Sequence, residues 1–351
     1  MDLLNLGREL WLTLGYVPLV DAAPLIGAQS MSLFIDEGLD VRLRPVQSWA
    51  RMRDLLKQGE IDAAHMLAPM VIASALGLEK GTDFTTALAL NLGGNAITLS
   101  RSLYESLDAF PGKTTAHQLK ALIDIRKERG KPPLKFASVY HYSSHSYQIR
   151  HWLEQGGIDP DRDIKKVVIP PPHLPDHLRD GEVSGYCVGE PWNLVAQRDG
   201  TGVIVTTAHE MMGRAPEKVL AVRAGWADEK DDVHRRLVRA VYKACQSLDY
   251  IGVLKFMAKH LHHQKLLEID PNLLEIALTG EGRKKPDGSD GSDPDFLRFF
   301  RGLANRPSIA DAIAIASTMR KWHQVGEEID LTVACQRAYR FKDFDHFTKG
   351  L

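Results

Sequence analysis

Short runs of β-branched and apolar residues recur through the first two thirds of the chain, at 12–17, 39–43, 96–99, 134–139, 166–169 and 203–206, with helical patterns between them. Parallel strands need connections long enough to hold a helix, so this alternation predicts an α/β protein built from crossover units. A chain of 351 residues that is 44% hydrophobic is long enough for roughly two domains of ordinary size. Between the runs, Ser48 is placed to cap a helix carrying Met52, Leu55 and Leu56 on one face and stopped by Gly59. A second helix is expected over 147–155, presenting Ile149, Trp152 and Leu153 and ending at Gly156 and Gly157.

An internal echo adds to this. Residues 55–66 and 177–188 share one pattern about 120 residues apart: a helix end, then Gly59-Glu60 or Gly181-Glu182, then a small-residue strand. Two copies of a helix-to-strand unit suggest two lobes of similar build, although two ordinary turns could also match by chance. Ligands of open α/β sheets sit beyond the carboxyl ends of strands. That rule points His65 and Met66 in one lobe, and Gly189, Glu190, Pro191 and Trp192 in the other, toward a shared cleft.

Beyond about residue 225 the pattern turns helical, at 233–250, 251–262 and 308–322. The polar, glycine-rich stretch 280–293 cannot form a core and is expected as a mobile loop with solvated basic residues. Phe341, Phe344 and Phe347 either pack the C-terminal end back on the lobes or belong to a partner surface.

Lys and Arg total 44 against 45 Asp and Glu, which leaves no overall field to draw the protein onto nucleic acid or an anionic membrane. Neither is expected as a direct partner. Cys187, Cys245 and Cys335 are odd in number and widely spaced, which reads as reduced thiols. Asp2 and the Arg8-Glu9 pair interrupt any secretory leader. The apolar stretch 67–78 contains Pro69 and is too short to cross a bilayer. The expectation is a cytoplasmic protein.

No phosphate-binding loop, dinucleotide fingerprint or nucleophile elbow is present, so neither an enzyme nor a cofactor is expected. Gly93-Gly94 suits a hinge or a close backbone approach. His141 with His145, and His260 with His262 and His263, are spaced as metal ligands could be, but surface or capping roles are the simpler reading and no metal is expected. His145 stands just ahead of the 147–155 helix, where unpaired N–H groups would favour a small anion. Alternatively Ser144 or Ser146 caps the helix and His145 is solvated. Trp49, Tyr142 and Trp192 suit either a pocket wall or a core.

Taken in order, the runs 15–25, 48–49, 62–70, 90–91 with 94–98, 149–153 with 156–161, 185–193 and 216–220 resemble the nitrate-binding family of periplasmic-type solute-binding proteins. The resemblance implies an α/β, two-lobed periplasmic-binding-protein-like fold of type II with a helical C-terminal region. Lobe 1 would take 10–98 and 206–351, and lobe 2 would take 99–205, with the ligand cleft between them. Within the family, 65–70 and 187–193 look most like the cytoplasmic nitrate and nitrite sensors whose partner is an RNA-binding antiterminator of the NasT type. Carried over by order, the ligand contacts implied are Trp49, Asn95 where the family has glutamine, His145 and Lys218. His65, Met66, Gly94, Cys187, Glu190 and Trp192 complete the candidate set. Lys218 could instead face solvent, and Glu190 would hold an arginine or backbone donors, or cap the turn at Pro191. A solute-binding component of a nitrate or related-anion transporter is the nearest alternative. An enzyme of pyrimidine or quinone biosynthesis on the same fold, using Cys187 or His65, is the other.

Overall fold

The structure is a computed structural model and describes residues 11–351; Asp2, Arg8-Glu9 and residue 10, where lobe 1 was expected to start, lie outside the described residues. The predicted alternation appears within β1 (Trp11–Tyr16), β2 (Asp40–Pro45), β3 (Ala63–Leu67), β4 (Phe84–Gly93), β5 (Asn95–Ser100), β6 (Leu134–Ser138), β7 (Ile164–Val168), β8 (Gly185–Gly189) and β9 (Gly202–Thr207), and the structure adds β10 (Pro216–Arg223), which the runs did not include. Among the described residues no helix is long and apolar enough to cross a membrane.

The chain divides into two units. The first takes in the chain up to Leu92, Pro216–Glu268 and Arg298–Leu351, and the second takes in Gly93–Ala215 and Ile269–Leu297. The longest strands of the first sheet run β4-β10-β3-β1-β2, and the second sheet runs β9-β5-β8-β6-β7. In both, the central strand (β3 or β8) is parallel to one neighbour (β1 or β6) and antiparallel to the other (β10 or β5).

The sequence echo is therefore a repeat of topology. Its offset is 122 residues (Gly181 minus Gly59), and the strand registers keep that offset. Leu14 pairs with Ala63 in the first unit, and Phe136 pairs with Gly185 in the second. Leu14 and Phe136 stand 122 positions apart, and so do Ala63 and Gly185. Lys218 pairs with Leu67 and Asn95 pairs with Gly189, so these two polar residues occupy matching positions on matching strands.

Ser48 caps the helix Trp49–Gln58 by accepting from Arg51 N, and Gly59 ends it at φ 76°, as expected. The second helix begins three residues earlier than its apolar face suggests. It spans Ser144–Gln155, and its cap is Ser143, which accepts from Ser146 N. His145 thus stands inside the first turn and is fully buried rather than solvated. Ile149, Trp152 and Leu153 pack with Phe136, Leu119 and Ile123 in the core of the second unit, and that packing holds the whole helix in place.

Residues 269–297 were expected with the helical C-terminal region in lobe 1 but cluster with the second unit. The expected mobile loop within them is a hairpin of β11 (Glu281–Lys284) and β12 (Asp290–Ser292). It is anchored where composition gives no hint. Buried Arg283 reaches Glu190, His209 Nδ1 lies 3.0 Å from Asp293 Oδ1, and Gln197 donates to Lys284 O.

The C-terminal helices fall where the spacing placed them, including Asp231–Ser247, Ile251–His263 and Ile309–Lys321. Phe344 and Phe347 are buried and pack edge-on against Tyr242 and His234, which decides for packing back onto the first unit. The three cysteines are buried and form no disulfide.

Candidate functional site

In the first unit, side chains from four elements converge. Trp49 opens the helix after Ser48, and its ring centroid is 5.5 Å from that of His65 on β3. Lys218 on β10 places its Nζ 5.5 Å from the Trp49 ring. The same Nζ donates to Asp21 Oδ2 at 2.7 Å and to Glu217 Oε1 at 2.6 Å. His65 Nε2 lies 3.1 Å from the other Asp21 oxygen. All five side chains are buried.

Burial opposes charge on each of these groups, so their partners decide the outcome. Burial raises the Asp21 carboxyl, but the Lys218 charge and then His65 outweigh it and hold the group well below the usual carboxylate range. Burial lowers the Lys218 ammonium, but Asp21 and Glu217 outweigh it and the group is raised. For His65, burial outweighs the pull of Asp21 and the imidazole is lowered, which favours its neutral form. Lys218 does not face solvent, and its charge is already matched by two carboxylates. Met66 is not brought into this cluster. His65 and Leu67 share one face of β3 with Leu220 and Lys218 of β10, whereas Met66 pairs with Val219 on the opposite face.

In the second unit the matching register position carries Asn95. Its Nδ2 donates to Gln148 Oε1 at 3.1 Å, and Cys187 Sγ donates to the same oxygen at 3.3 Å. Gln148 follows His145 by three residues on one helix face, so both sit on the side of the helix that carries Trp152. Asn95, Gln148, His145 and Cys187 are all buried. Asn95 Oδ1 has no hydrogen-bond partner among the described residues. Gln148 was not singled out from sequence. The available signal was a long polar residue interrupting the apolar face of that helix.

The remaining candidates, Gly94, Glu190 and Trp192, make contacts of their own. Gly94 donates to Phe296 O at 2.6 Å and accepts from Glu190 N. The close approach made by the glycine pair is thus to the chain's own backbone. A Cβ on Gly93 would stand 2.2 Å from Phe296 O. Glu190 takes Arg283 on Oε1 at 2.8 Å and Leu194 N on Oε2 at 3.1 Å, the arginine-holding and turn-capping roles its sequence context suggested. The Arg283 guanidinium also covers the Phe296 ring at 3.7 Å. Trp192 heads the helix Trp192–Arg198, with its carbonyl accepting from Tyr186 Oη. Among the described residues no group of three or more His, Cys, Asp or Glu is arranged to hold a metal.

A family model described as NMT1-like family matches residues 9–262. Among curated relatives, the nitrate/nitrite binding protein NrtA of Synechococcus elongatus is 36% identical over 287 residues, covering 77% of this chain and 63% of that protein. The nitrate import ATP-binding protein NrtC of Synechocystis is 31% identical over 320 residues, 89% of this chain and 46% of that protein. The bicarbonate transport ATP-binding protein CmpC of Synechocystis is 34% identical over 325 residues, 90% of this chain and 46% of that protein. The chain spans about half the length of these ATP-binding relatives. Among solved structures, the periplasmic nitrate-binding protein NrtA from Synechocystis superposes with a TM-score of 0.89 at 23% identity, over 97% of this chain and 89% of that one. The alkanesulfonate-binding protein SsuA from Xanthomonas axonopodis pv. citri follows at 0.66 and 14%, over 93% and 97%. The fold is that of the periplasmic binding proteins, with a helical C-terminal region.

Proposed function

The chain belongs to the NMT1-like family, and from that premise we propose that it binds nitrate or nitrite without turning it over, as the solute-binding part of an importer for nitrate or a related anion. The observation that carries this reading is the 36% identity to a nitrate/nitrite binding protein along 77% of the chain. Relatives named for nitrate import and bicarbonate transport support the importer context.

Nitrate is planar, singly charged and weakly basic, so it is held by donors fitted around its oxygens rather than by a strong opposite charge. Buried Asn95, His145, His65 and Lys218 are the proposed donors, with the Trp49 indole as an apolar wall; Met66, Gly94, Cys187, Glu190 and Trp192 would support them. A Lys218 already paired with Asp21 and Glu217 suits such a ligand better than it suits a dianion. Calorimetric titration with nitrate and nitrite, with sulfate and bicarbonate as controls, tests the reading. Absence of heat with both nitrate and nitrite would sink it.

A second reading rests on the runs 65–70 and 187–193: a cytoplasmic sensor whose anion-bound and free states differ in affinity for an antiterminator of the NasT type. A ligand shifts such an equilibrium only through its differential affinity for the two states. Co-purification with the antiterminator, undone by nitrate, would favour the sensor. Nitrate-dependent stimulation of a reconstituted permease and ATPase would favour the importer.

A further inference from the structure

The buried amide pair of Asn95 and Gln148 carries an inference that rests on the anion-binding reading and deepens it. Gln148 Oε1 accepts from two donors, Asn95 Nδ2 at 3.1 Å and Cys187 Sγ at 3.3 Å. The consequence is an Asn95 whose remaining acceptor, Oδ1, is fully buried with no donor among the described residues. A buried acceptor left unmade is costly, and the ligand that would relieve it carries an O–H. Bicarbonate has one. Nitrate has only acceptors and cannot meet Oδ1.

A carboxamide has nearly the same shape after a half-turn about its terminal bond, which exchanges the N–H donors with the carbonyl acceptor. Turning both amides keeps the 3.1 Å contact but reverses it, so that Gln148 Nε2 donates to Asn95 Oδ1 and Asn95 Nδ2 becomes the unpaired group. That arrangement suits nitrate. Its cost is local: the Cys187 thiol loses its acceptor oxygen and faces an N–H instead. We propose that Gln148 is a positioning residue that sets anion selectivity through the direction of its bond to Asn95, and that the Cys187 thiol biases the pair toward hydroxyl-bearing anions. Asn95 alone could present either end of its amide. Gln148 couples that choice to a third residue.

The thiol makes the proposal separable from a general structural role, because alanine and serine at position 187 should act in opposite directions. The 351-residue chain is titrated with sodium nitrate and with sodium bicarbonate at pH 8, as wild type, Cys187→Ala, Cys187→Ser and Gln148→Met, with thermal unfolding to show that each variant is folded. Removing the donor in Cys187→Ala should tighten nitrate about two- to fivefold, and the stronger hydroxyl donor in Cys187→Ser should weaken it about fivefold. The nitrate-to-bicarbonate affinity ratio should move the same way in each case. Gln148→Met, which can neither donate nor accept, leaves Asn95 free to present either end of its amide, so it should raise nitrate affinity relative to bicarbonate. Shifts of the same sign in both Cys187 variants, or an unchanged nitrate-to-bicarbonate affinity ratio in Gln148→Met, would overturn the inference while leaving the ligand reading intact. A wild type that binds neither anion overturns both.

Discussion

Lys218 and Asp21, 197 residues apart in sequence, meet at 2.7 Å with both side chains shut away from solvent. The pair joins β10 to the segment after β1, and Glu217 and His65 complete it. Replacing Lys218 with Met strands two carboxylates in a buried setting, so it should cost about 3–5 kcal/mol of folding stability, the usual penalty for breaking a buried ion pair from one side. Urea unfolding at pH 7 measures this. A loss below about 1 kcal/mol, the range of surface pairs, would mean the cluster is hydrated in solution.

His234 should make the first unit acid-sensitive. It packs edge-on between Trp226 and Phe347. Burial, aided by the nearby Arg340 charge, lowers its imidazole to about 3. The unfolded chain therefore binds a proton that the folded chain refuses over the interval from about 6.5 down to about 3. This stability is fully present above pH 6.5 and declines as pH falls, by about 1.4 kcal/mol per pH unit for one proton. Unfolding midpoints measured from pH 7.5 to 4.5 should fall in the wild type and fall less steeply in His234→Phe. Identical slopes would remove His234 from the account.

Two glycines should respond oppositely to the same change. Gly93 has φ 72°, and a Cβ there meets a backbone oxygen at 2.2 Å, so Gly93→Ala combines left-handed strain with a collision that only main-chain movement can relieve. It should lower stability by several kcal/mol, on the order of 2–4. Gly252 lies in the helix Ile251–His263 with nothing near its would-be Cβ, so Gly252→Ala should be neutral or stabilise by about 0.5–1 kcal/mol. Thermal unfolding of both variants side by side is the check.

The hairpin of the second unit should depend on one carboxylate. Arg283 is the buried residue of β11, and its guanidinium is shared between Glu190 and the Phe296 ring. Glu190→Ala should destabilise by about 3–5 kcal/mol through the uncompensated guanidinium, and it should speed amide exchange across Glu281–Lys284 and Asp290–Ser292. Exchange there at the wild-type rate would show that the hairpin is held by its other contacts.

Much of the framework could be read in advance because it is local. Strand runs, the Ser48 cap, the Gly59 stop and the two Gly-Glu turns depend on residues within a few positions of one another. The start of the helix Ser144–Gln155 escaped because its first turn holds Ser144, His145 and Ser146, polar residues that pattern reading assigns to a cap while the tertiary structure buries two of them. The 281–292 hairpin escaped for a similar reason. Its composition is that of a loop, and its anchor, Glu190, is 93 residues from Arg283.

By itself, then, the sequence determined the α/β alternation, the 122-residue repeat and the residue types offered to a ligand, since each follows from backbone propensity and periodic burial. Only the tertiary structure decided which of those residues act together. It separated Met66 from His65 by the two-residue period of β3, enclosed Lys218 between two carboxylates, and paired Asn95 with Gln148. Such choices turn on which strand lies beside which, and no local preference of the chain encodes the partner that a buried charge or amide finds across the sheet.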